Sequence, residues 1–420
     1  MYEIIVGRDP SDVKKLGTSG TAFLGKHIVG LGEEAHLTNK IVMDVLRPHV
    51  ILICGKRGTG KSYTAAVIAE EISALPDEFR KNLSVIIVDP MGIYWSMKNP
   101  NDKESDLLRN WEIKPSGVEA TIFVPKGQEK DFEAAGIIWD KTLTLSTSEF
   151  SVEDWLITFN LSMFDPVGIL LERCVRDLKK AQIEYDLPDI IRKISEDQKS
   201  DAREKESLIN RFELAQSWGL FEKHGTDVEE LMTPGGISVI DVSHYEGWSV
   251  KNLLMSMLAK KIYHSRLIAR KREEIETMTG EAKKTLPMVW IIMDEAHQFL
   301  PNDAKTAASD ALLSLVKQGR EPGISTVFIT QQPYKLHPDA LSQADIVISH
   351  RLTAEQDIKA LRSIMQTYLL KDVQKSIEEL PKWKGSAIVL DDNSEKLYSL
   401  SVRPRFSWHA GGSPLAFRVK

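Results

Sequence analysis

A glycine-rich and basic stretch, GKRGTGKS at residues 55–62, directly follows an apolar run in this sequence. The apolar run HVILIC predicts a buried strand, and the following SYTAAVIAEEI predicts an amphipathic helix. Glycines allow the backbone to curl so that successive N–H groups point inward, and the start of a helix adds partial positive charge. The stretch therefore predicts a phosphate-binding loop for a nucleotide such as ATP. Its predicted contacts are Gly55, Lys56, Arg57, Gly58, Thr59, Gly60, Lys61, Ser62 and Tyr63.

Two residues of this loop have specific predicted tasks. The spacing matches G-x-x-x-x-G-K-[ST], which places Lys61 where it reaches the β- and γ-phosphates. The Ser62 hydroxyl would ligate Mg²⁺. An ordinary glycine-rich turn is the alternative, and the flanking strand and helix favour the nucleotide site. We therefore expect Lys61 to be catalytic and Ser62 to be a metal ligand.

An acidic pair ends a later apolar strand, in the stretch WIIMDEAH. At such a strand end in a P-loop enzyme, the first acid holds Mg²⁺, so Asp294 is the second predicted metal ligand. The second acid, Glu295, is the predicted general base that activates water. A surface-exposed acidic pair is the common alternative. The position after a buried strand, downstream of the phosphate loop, favours catalysis.

Two further polar positions are candidates for contact with the γ-phosphate. In FITQQP, Gln331 ends the next strand and could touch the γ-phosphate or the attacking water, whereas Gln332 could simply belong to a turn before Pro333. In VKQGREPG, Arg320 lies in a glycine-flanked loop and could stabilise transition-state charge, either in its own site or in a neighbour's. A plain surface arginine is the alternative for Arg320.

The second predicted strand, SVIIVDP, raises two less specific hypotheses. Asp89 at its end could orient Mg²⁺ or anchor a DNA-facing loop, and a turn or helix-capping role is an equal alternative. The following WSMKNPNDKES predicts an exposed loop in which Lys98 and Lys103 contact DNA phosphates. A solvated loop without a specific partner is the alternative for these lysines.

The overall composition limits the classes of function. With 420 residues and a net charge of −6, the chain is not a uniformly basic nucleic-acid coat, so DNA contacts would have to come from local basic loops. Its two cysteines, Cys54 and Cys174, provide no disulfide framework, and the ten histidines show no zinc-binding spacing. Neither a signal-peptide pattern nor a membrane-length apolar run is present, so we expect a cytoplasmic protein without membrane contact.

Strands that alternate with helices predict an α/β fold with a mostly parallel sheet covered on both faces. The predicted division has five parts: a small N-terminal β element, or reduced barrel, at 1–46; the first part of an ATPase core at 47–126; a helical insertion at 127–235; the second part of the core at 236–402; and an extended C-terminal tail at 403–420. The N-terminal element is expected to dock on the core, because its strands are too few to close a barrel.

With these residues identified, the chain resembles the HerA branch of the HerA–FtsK ATPases. The matching segments are RPHVILICGKRGTGKS, IIVDPMGIYW, IIMDEAHQFLP, LVKQGREPGISTVFITQQP, HRLTAEQDIKAL and the terminal VRPRFSWHAGG. Together they cover roughly residues 23 to 412. Such proteins usually begin with a larger β-barrel, so the 46 residues before the core predict a reduced one.

The resemblance implies a RecA-like P-loop NTPase core that assembles as a homo-hexameric ring and moves double-stranded DNA through its pore. It implies ATP and Mg²⁺ as cofactors and a partner nuclease such as NurA, or another effector. It also implies the family's catalytic and sensor roles for Lys61, Ser62, Asp294, Glu295, Gln331 and Arg320. Arg47 matches an arginine that relatives present near a neighbouring subunit's nucleotide.

Three functions remain open from the sequence. The first is a DNA translocase or helicase motor, and the second is a nucleotide-gated ring that activates a partner effector with little translocation. The third, a secretion or packaging ATPase, is weakened because the sequence lacks a membrane anchor. A small-molecule kinase is disfavoured, because an acidic pair followed by a glutamine strand end suits hydrolysis.

Overall fold

The computed structural model describes residues 2–30, 34–181, 184–280, 286–364 and 370–412. The strands are β1 (Ile4–Val6), β2 (Thr21–Val29), β3 (His36–Asp44), β4 (Val50–Cys54), β5 (Leu83–Asp89), β6 (Ala120–Pro125), β7 (Lys141–Leu143), β8 (Leu145–Ser146), β9 (Phe221–Glu222), β10 (Ile237–Asp241), β11 (Met288–Met293), β12 (Ile324–Thr330), β13 (Ile346–His350), β14 (Ser386–Asp391) and β15 (Lys396–Val402).

The α-helices are α1 (Pro10–Leu16), α2 (Lys61–Ser73), α3 (Asp77–Arg80), α4 (Ser105–Asn110), α5 (Glu129–Ala134), α6 (Val152–Thr158), α7 (Pro166–Lys180), α8 (Leu187–Glu196), α9 (Ala202–Ser217), α10 (Val228–Leu231), α11 (Trp248–Thr279), α12 (Ser309–Gln318), α13 (Pro338–Ser342), α14 (Glu355–Ile364) and α15 (Leu370–Glu379). Among the helices described, none is both long enough and apolar enough to cross a lipid bilayer.

The strands with continuous apolar runs form the centre of one large sheet. Within the described residues this sheet has thirteen strands, in the order β1-β3-β2-β15-β14-β13-β4-β12-β11-β5-β10-β6-β7. All strands from β13 to β7 in this order run parallel. Every residue of β4, β5 and β12 is buried, as expected where helices cover both faces of a parallel sheet. The predicted α/β fold with a mostly parallel sheet is confirmed.

The region predicted as a helical insertion contains α5 to α10 and the short strands β7 to β9. Its helices pack around the buried ring of Trp155, whose centroid lies 5.1 Å from that of Phe212 and 5.3 Å from that of Phe150. These residues belong to the same apolar cluster as Val50 and Leu52 of β4. The helices therefore share their core with one face of the sheet. The strand β7 pairs with β6 and is the last strand on that side of the sheet.

The three N-terminal strands differ from the expected docked element, because they continue the core sheet. The contact is an antiparallel pairing of β2 with β15, with His27 opposite Leu400. At Gly25 a Cβ atom would lie 2.0 Å from the carbonyl oxygen of Ser401, so only glycine permits this approach. The β14–β15 hairpin lies between the parallel strands and the N-terminal ones and was not predicted from the sequence.

The segment predicted as an extended tail has no helix or strand between residues 403 and 412, and its last eight residues, 413–420, lie outside the described ranges. It is nevertheless anchored along α2. Arg403 and Arg405 are each 1 % exposed and form ion pairs of 2.9 Å and 3.2 Å with the fully buried Glu70. Removing one partner of such a buried pair typically costs about 3–5 kcal/mol. The tail is therefore an integral part of the packing around α2.

Candidate active site

The predicted phosphate loop lies between the end of β4 and the start of α2. Gly58 and Gly60 have φ angles of +76° and +112°, which favour glycine over other residues. At Gly55 a Cβ atom would lie 2.6 Å from the Cβ of His350, so a side chain is excluded there as well. The helix α2 begins at Lys61, which directs its N-terminal N–H groups towards the loop. This geometry is that of a phosphate cradle.

The side chain of Lys61 is folded back across this loop. Its Nζ donates a hydrogen bond of 3.1 Å to the backbone oxygen of Lys56. Burial lowers the pKa of Lys61, while the nearby charges of Asp294 and Glu295 act in the opposite direction. The single ammonium group therefore lies between the loop backbone and the acidic pair, where a phosphate would replace the carbonyl as its partner.

The two predicted metal ligands are in direct contact. The hydroxyl of Ser62 donates a hydrogen bond of 2.6 Å to Oδ2 of Asp294, and the hydroxyl of Tyr94 lies 3.4 Å from the same oxygen. Burial raises the pKa of Asp294, which favours a nearby cation as a compensating partner. The described residues contain no cluster of three or more His, Cys, Asp or Glu side chains suited to a metal. Two hard oxygen ligands fit Mg²⁺, which keeps several waters and binds substrate phosphates.

The predicted base and the predicted sensor also contact each other. Nε2 of Gln331 donates a hydrogen bond to Oε1 of Glu295. Glu295 has a φ of +51°, an uncommon conformation for a residue other than glycine that costs free energy and is concentrated at functional sites. Nδ1 of His297 lies 3.6 Å from Oε2 of Glu295 and 3.0 Å from the hydroxyl of Thr330. His297, which the sequence analysis did not single out, thus completes the surroundings of the base.

His350 is a second residue that the sequence analysis missed, although it begins the matching segment HRLTAEQDIKAL. It ends β13 beneath the phosphate loop, with Nδ1 at 3.1 Å from the backbone oxygen of Ser386 and Nε2 at 2.8 Å from the hydroxyl of Thr64. Burial lowers its pKa to about 4, helped by the charge of Lys61. Because the carbonyl can only accept, the neutral ring carries its proton on Nδ1.

The two predicted arginines lie at the opposite edge of the sheet from the phosphate loop. Arg47 precedes β4 and Arg320 precedes β12, and these two strands are parallel neighbours. The five residues of β4 rise about 3.3 Å each, which separates the two edges by about 16 Å. Neither arginine therefore contacts its own phosphate loop. Their side chains are 62 % and 54 % exposed and pair with Asp12 and Asp345.

Other candidates have local partners that favour the plainer alternatives. Both carboxylate oxygens of Asp89 accept backbone N–H bonds, from residues 91 and 92 and from residues 93 and 94, which is turn capping. Gln332 directly precedes a 3₁₀ turn that begins at Pro333. The hydroxyl of Tyr63 bonds to Glu104 and to the tail, so only its backbone faces the loop.

The segment that contains the two candidate DNA-binding lysines is more ordered than predicted. It forms two 3₁₀ turns, at residues 94–98 and 102–104, instead of an open loop. Nζ of Lys98 lies 2.6 Å from a carboxylate oxygen of Asp140, so its charge is compensated. Lys103 is exposed. The two lysines are therefore not equivalent.

This arrangement of phosphate loop, strand-end acids and strand-end glutamine on a mostly parallel sheet defines a RecA-like P-loop NTPase. VirB4 of Thermoanaerobacter pseudethanolicus has the same fold, with a TM-score of 0.53 and 13 % identity over 92 % of this chain and 97 % of that one. Residues 28–264 match the family model described as "Helicase HerA, central domain", and residues 248–393 match "Helicase HerA-like C-terminal". The chain belongs to the HerA helicase family, which confirms the predicted resemblance.

Two archaeal relatives are similar over most of this chain. The "Probable DNA double-strand break repair helicase HerA" of Methanocaldococcus jannaschii is 22 % identical over 77 % of this chain and 65 % of its own length. The "DNA double-strand break repair helicase HerA" of Sulfurisphaera tokodaii is 22 % identical over 90 % of this chain and 68 % of its own length. The chain thus spans about two thirds of the length of these relatives.

Proposed function

We propose that this protein is an ATP-hydrolysing DNA translocase or helicase motor that works as a hexameric ring in the cytoplasm. The observation that carries the proposal is the contact of two pairs at one sheet edge, Ser62 with Asp294 and Gln331 with Glu295. The first pair suits Mg²⁺ and the phosphates, and the second suits a water-activating base with a γ-phosphate sensor. The membership of the HerA family supports DNA as the partner.

In the proposed reaction, the loop from Gly55 to Ser62 holds the phosphates and Lys61 neutralises charge on the β- and γ-phosphates. Bound through Ser62 and Asp294, Mg²⁺ would supply further charge stabilisation. Glu295 accepts a proton from water while the water oxygen bonds to the γ-phosphorus and the bond to the bridging oxygen of ADP breaks. Gln331, released from Glu295, turns towards the γ-phosphate or the water. Inorganic phosphate and ADP are the products.

The position of the arginines supports assembly into a ring. Arg47 and Arg320 are exposed at the edge that is remote from the chain's own phosphate loop. An arginine supplied by a neighbouring subunit can stabilise transition-state charge without any movement of the sheet. We therefore propose that each complete site combines the loop edge of one subunit with the arginine edge of the next.

DNA-stimulated ATP hydrolysis is the test of the motor. We expect double-stranded DNA to raise the ATPase rate of the wild type, and Lys61→Ala to remain inactive with or without DNA. The motor would be contradicted if DNA left the ATPase rate unchanged. A nuclease partner such as NurA that raised this rate, or that needed ATP hydrolysis for its own activity, would then favour the nucleotide-gated ring. No hydrolysis under any condition would contradict both.

A further inference from the structure

A line of buried charges connects the N-terminal strands to the candidate trans-acting arginine. Arg8, fully buried, donates from Nε to Oδ1 of Asp44 at 3.1 Å. Oδ2 of Asp44 lies 3.7 Å from Nε2 of the buried His49, whose Nδ1 lies 2.7 Å from Oδ2 of Asp345. Nη2 of Arg320 lies 3.2 Å from that same oxygen of Asp345. Positive and negative groups alternate along the whole line.

Asp345 is the fixed member of this line next to Arg320. Its other oxygen, Oδ1, accepts the backbone N–H of Val50 at 2.9 Å, and its own N–H bonds to the oxygen of Val50 at 3.0 Å. Asp345 is 7 % exposed, whereas Arg320 is 54 % exposed. The carboxylate is therefore held between two parallel strands, while the guanidinium that it binds extends into solvent.

His49 is the buried group that binds the same carboxylate of Asp345. Burial by itself would lower the pKa of His49, but the hydrogen bond to Asp345 and the negative charges of Asp345 and Asp44 raise it to about 9. Oδ2 of Asp345 is therefore bound from one side by the imidazole, through a hydrogen bond, and from the other by the guanidinium, through an ion pair. The carboxylate cannot rotate away from Arg320 without leaving a buried charge unpaired, which is costly.

We propose that Asp345, locked by His49, is a positioning residue that holds Arg320 in the orientation in which it enters the neighbouring subunit's nucleotide site. This inference rests on the proposed trans role of Arg320. A flexible arginine loses rotamer entropy when it binds a phosphate, and an ion pair that already holds one guanidinium nitrogen removes part of that loss before binding. The buried line also makes Arg8 and Asp44 of the N-terminal strands part of the support of Arg320.

The test is a double-mutant cycle on the assembled ATPase. Asp345→Asn keeps the shape and the acceptor for Val50 but removes the charge that binds Arg320. We expect Arg320→Ala to lower kcat by about 10²-fold or more, and Asp345→Asn to lower it by about 10- to 100-fold, with KM for ATP unchanged. In the Arg320→Ala background, Asp345→Asn should change kcat by less than about twofold, because nothing is left to position.

Asp391→Asn is the matched control. Asp391 is a buried acid opposite Ile346 at the same sheet edge, and it bonds to Ser394 and to the N–H of Asn393. We expect this control to leave kcat within about twofold of the wild type. Multiplicative losses in the double mutant, or a rise of kcat in Asp345→Asn, would overturn the positioning role. An active Arg320→Ala enzyme would overturn the trans arginine itself, and the positioning role with it.

A second pair of variants serves if Asp345→Asn does not fold. His49→Asn places an amide donor where Nδ1 of His49 now contacts Asp345, and His49→Leu removes that donor. Under the proposal, His49→Asn retains kcat. His49→Leu lowers kcat when Arg320 is present and leaves it unchanged in the Arg320→Ala background. Equal kcat values in the two variants would overturn the proposal.

Discussion

The two edges of the central sheet differ in what they present. The edge at the carboxyl ends of the parallel strands holds the phosphate loop, Asp294, Glu295 and Gln331 in mutual contact. The opposite edge presents Arg47 and Arg320 on exposed side chains held by Asp12 and Asp345. The first edge carries the groups that the proposed hydrolysis needs, and the second has no phosphate cradle among the residues that the structure describes. The difference supports our proposal that the functional unit is formed by two chains.

The largest expected effect is at the phosphate-loop edge. Glu295→Gln should retain ATP binding and lower the hydrolysis rate by at least about 10²-fold, because an amide cannot accept the proton of water. Lys61→Ala should weaken both binding and hydrolysis. Nucleotide affinity and steady-state ATPase rates measure the two effects. Glu395→Gln is the matched control, since Glu395 also has a positive φ but is exposed in a turn. Equal hydrolysis rates for Glu295→Gln and the wild type would contradict the assignment.

The second prediction tests whether the two edges belong to one site in neighbouring subunits. We expect Arg320→Ala and Lys61→Ala subunits each to have little ATPase activity alone, and mixing them to restore part of the wild-type activity. A mixed ring contains some sites with an intact loop from one chain and an intact arginine from the next. The ATPase rate is measured across mixing ratios, with mixed rings confirmed by differently tagged subunits. If activity stays absent in confirmed mixed rings, the two-chain site is wrong.

The third prediction compares the buried histidines of the two edges. His350 has a pKa lowered to about 4, so its contribution to stability is present above its ordinary value near 6.5 and is lost as the pH falls towards 4. His49 has a pKa raised to about 9, so its contribution is present below 6.5 and is lost as the pH rises towards 9. Each shift corresponds to at most about 3 kcal/mol of unfolding free energy.

Chemical denaturation from pH 4 to pH 9 measures these contributions. His350→Asn should flatten the acid side of the stability profile and His49→Asn the alkaline side. Lys61 is the charged group that faces His350, and Asp44 and Asp345 face His49. A variant that leaves its side of the profile unchanged would show that the corresponding histidine titrates alike in the folded and unfolded chains.

The smallest expected effect concerns DNA contact by the segment after β5. Lys103→Ala should reduce the dependence of log K on log salt by about 1, as expected for one lost phosphate contact. Lys98→Ala should change that slope less, because Asp140 already compensates the charge of Lys98. Binding of a DNA duplex at several salt concentrations measures both slopes. An unchanged slope in Lys103→Ala would assign the DNA contacts to other residues.

The sequence predicted the phosphate-loop edge well because its signals are local. A glycine loop must join a strand to a helix, and apolar runs such as VILIC and VIIVD can only be buried strands in this context. Strand-end acids and amides then fall at one edge, because the carboxyl ends of parallel strands lie together. In the structure Asp294 contacts Ser62 of the loop, and Gln331 contacts Glu295.

The predictions that were incomplete depend on contacts distant in sequence. The N-terminal strands join the sheet through β15, more than 370 residues later, so no local pattern shows this pairing. The same holds for the tail arginines on Glu70 and for His350 beneath the phosphate loop. An alternating or polar stretch near a terminus has the same pattern whether it is free or packed against a distant helix.

The sequence by itself therefore determined the α/β fold, the position of the glycine loop and the set of candidate hydrolytic residues, because each depends on spacing within about 20 residues or on strand-end position. Only the tertiary structure decided the placement of the arginines. Sequence order puts Arg320 between the acidic pair and Gln331, which suggests proximity to both. Strand direction instead puts Arg320 at the edge where the strands begin, about 16 Å from the edge where they end. This follows because the chain must cross back to the starting edge before it can form the next parallel strand.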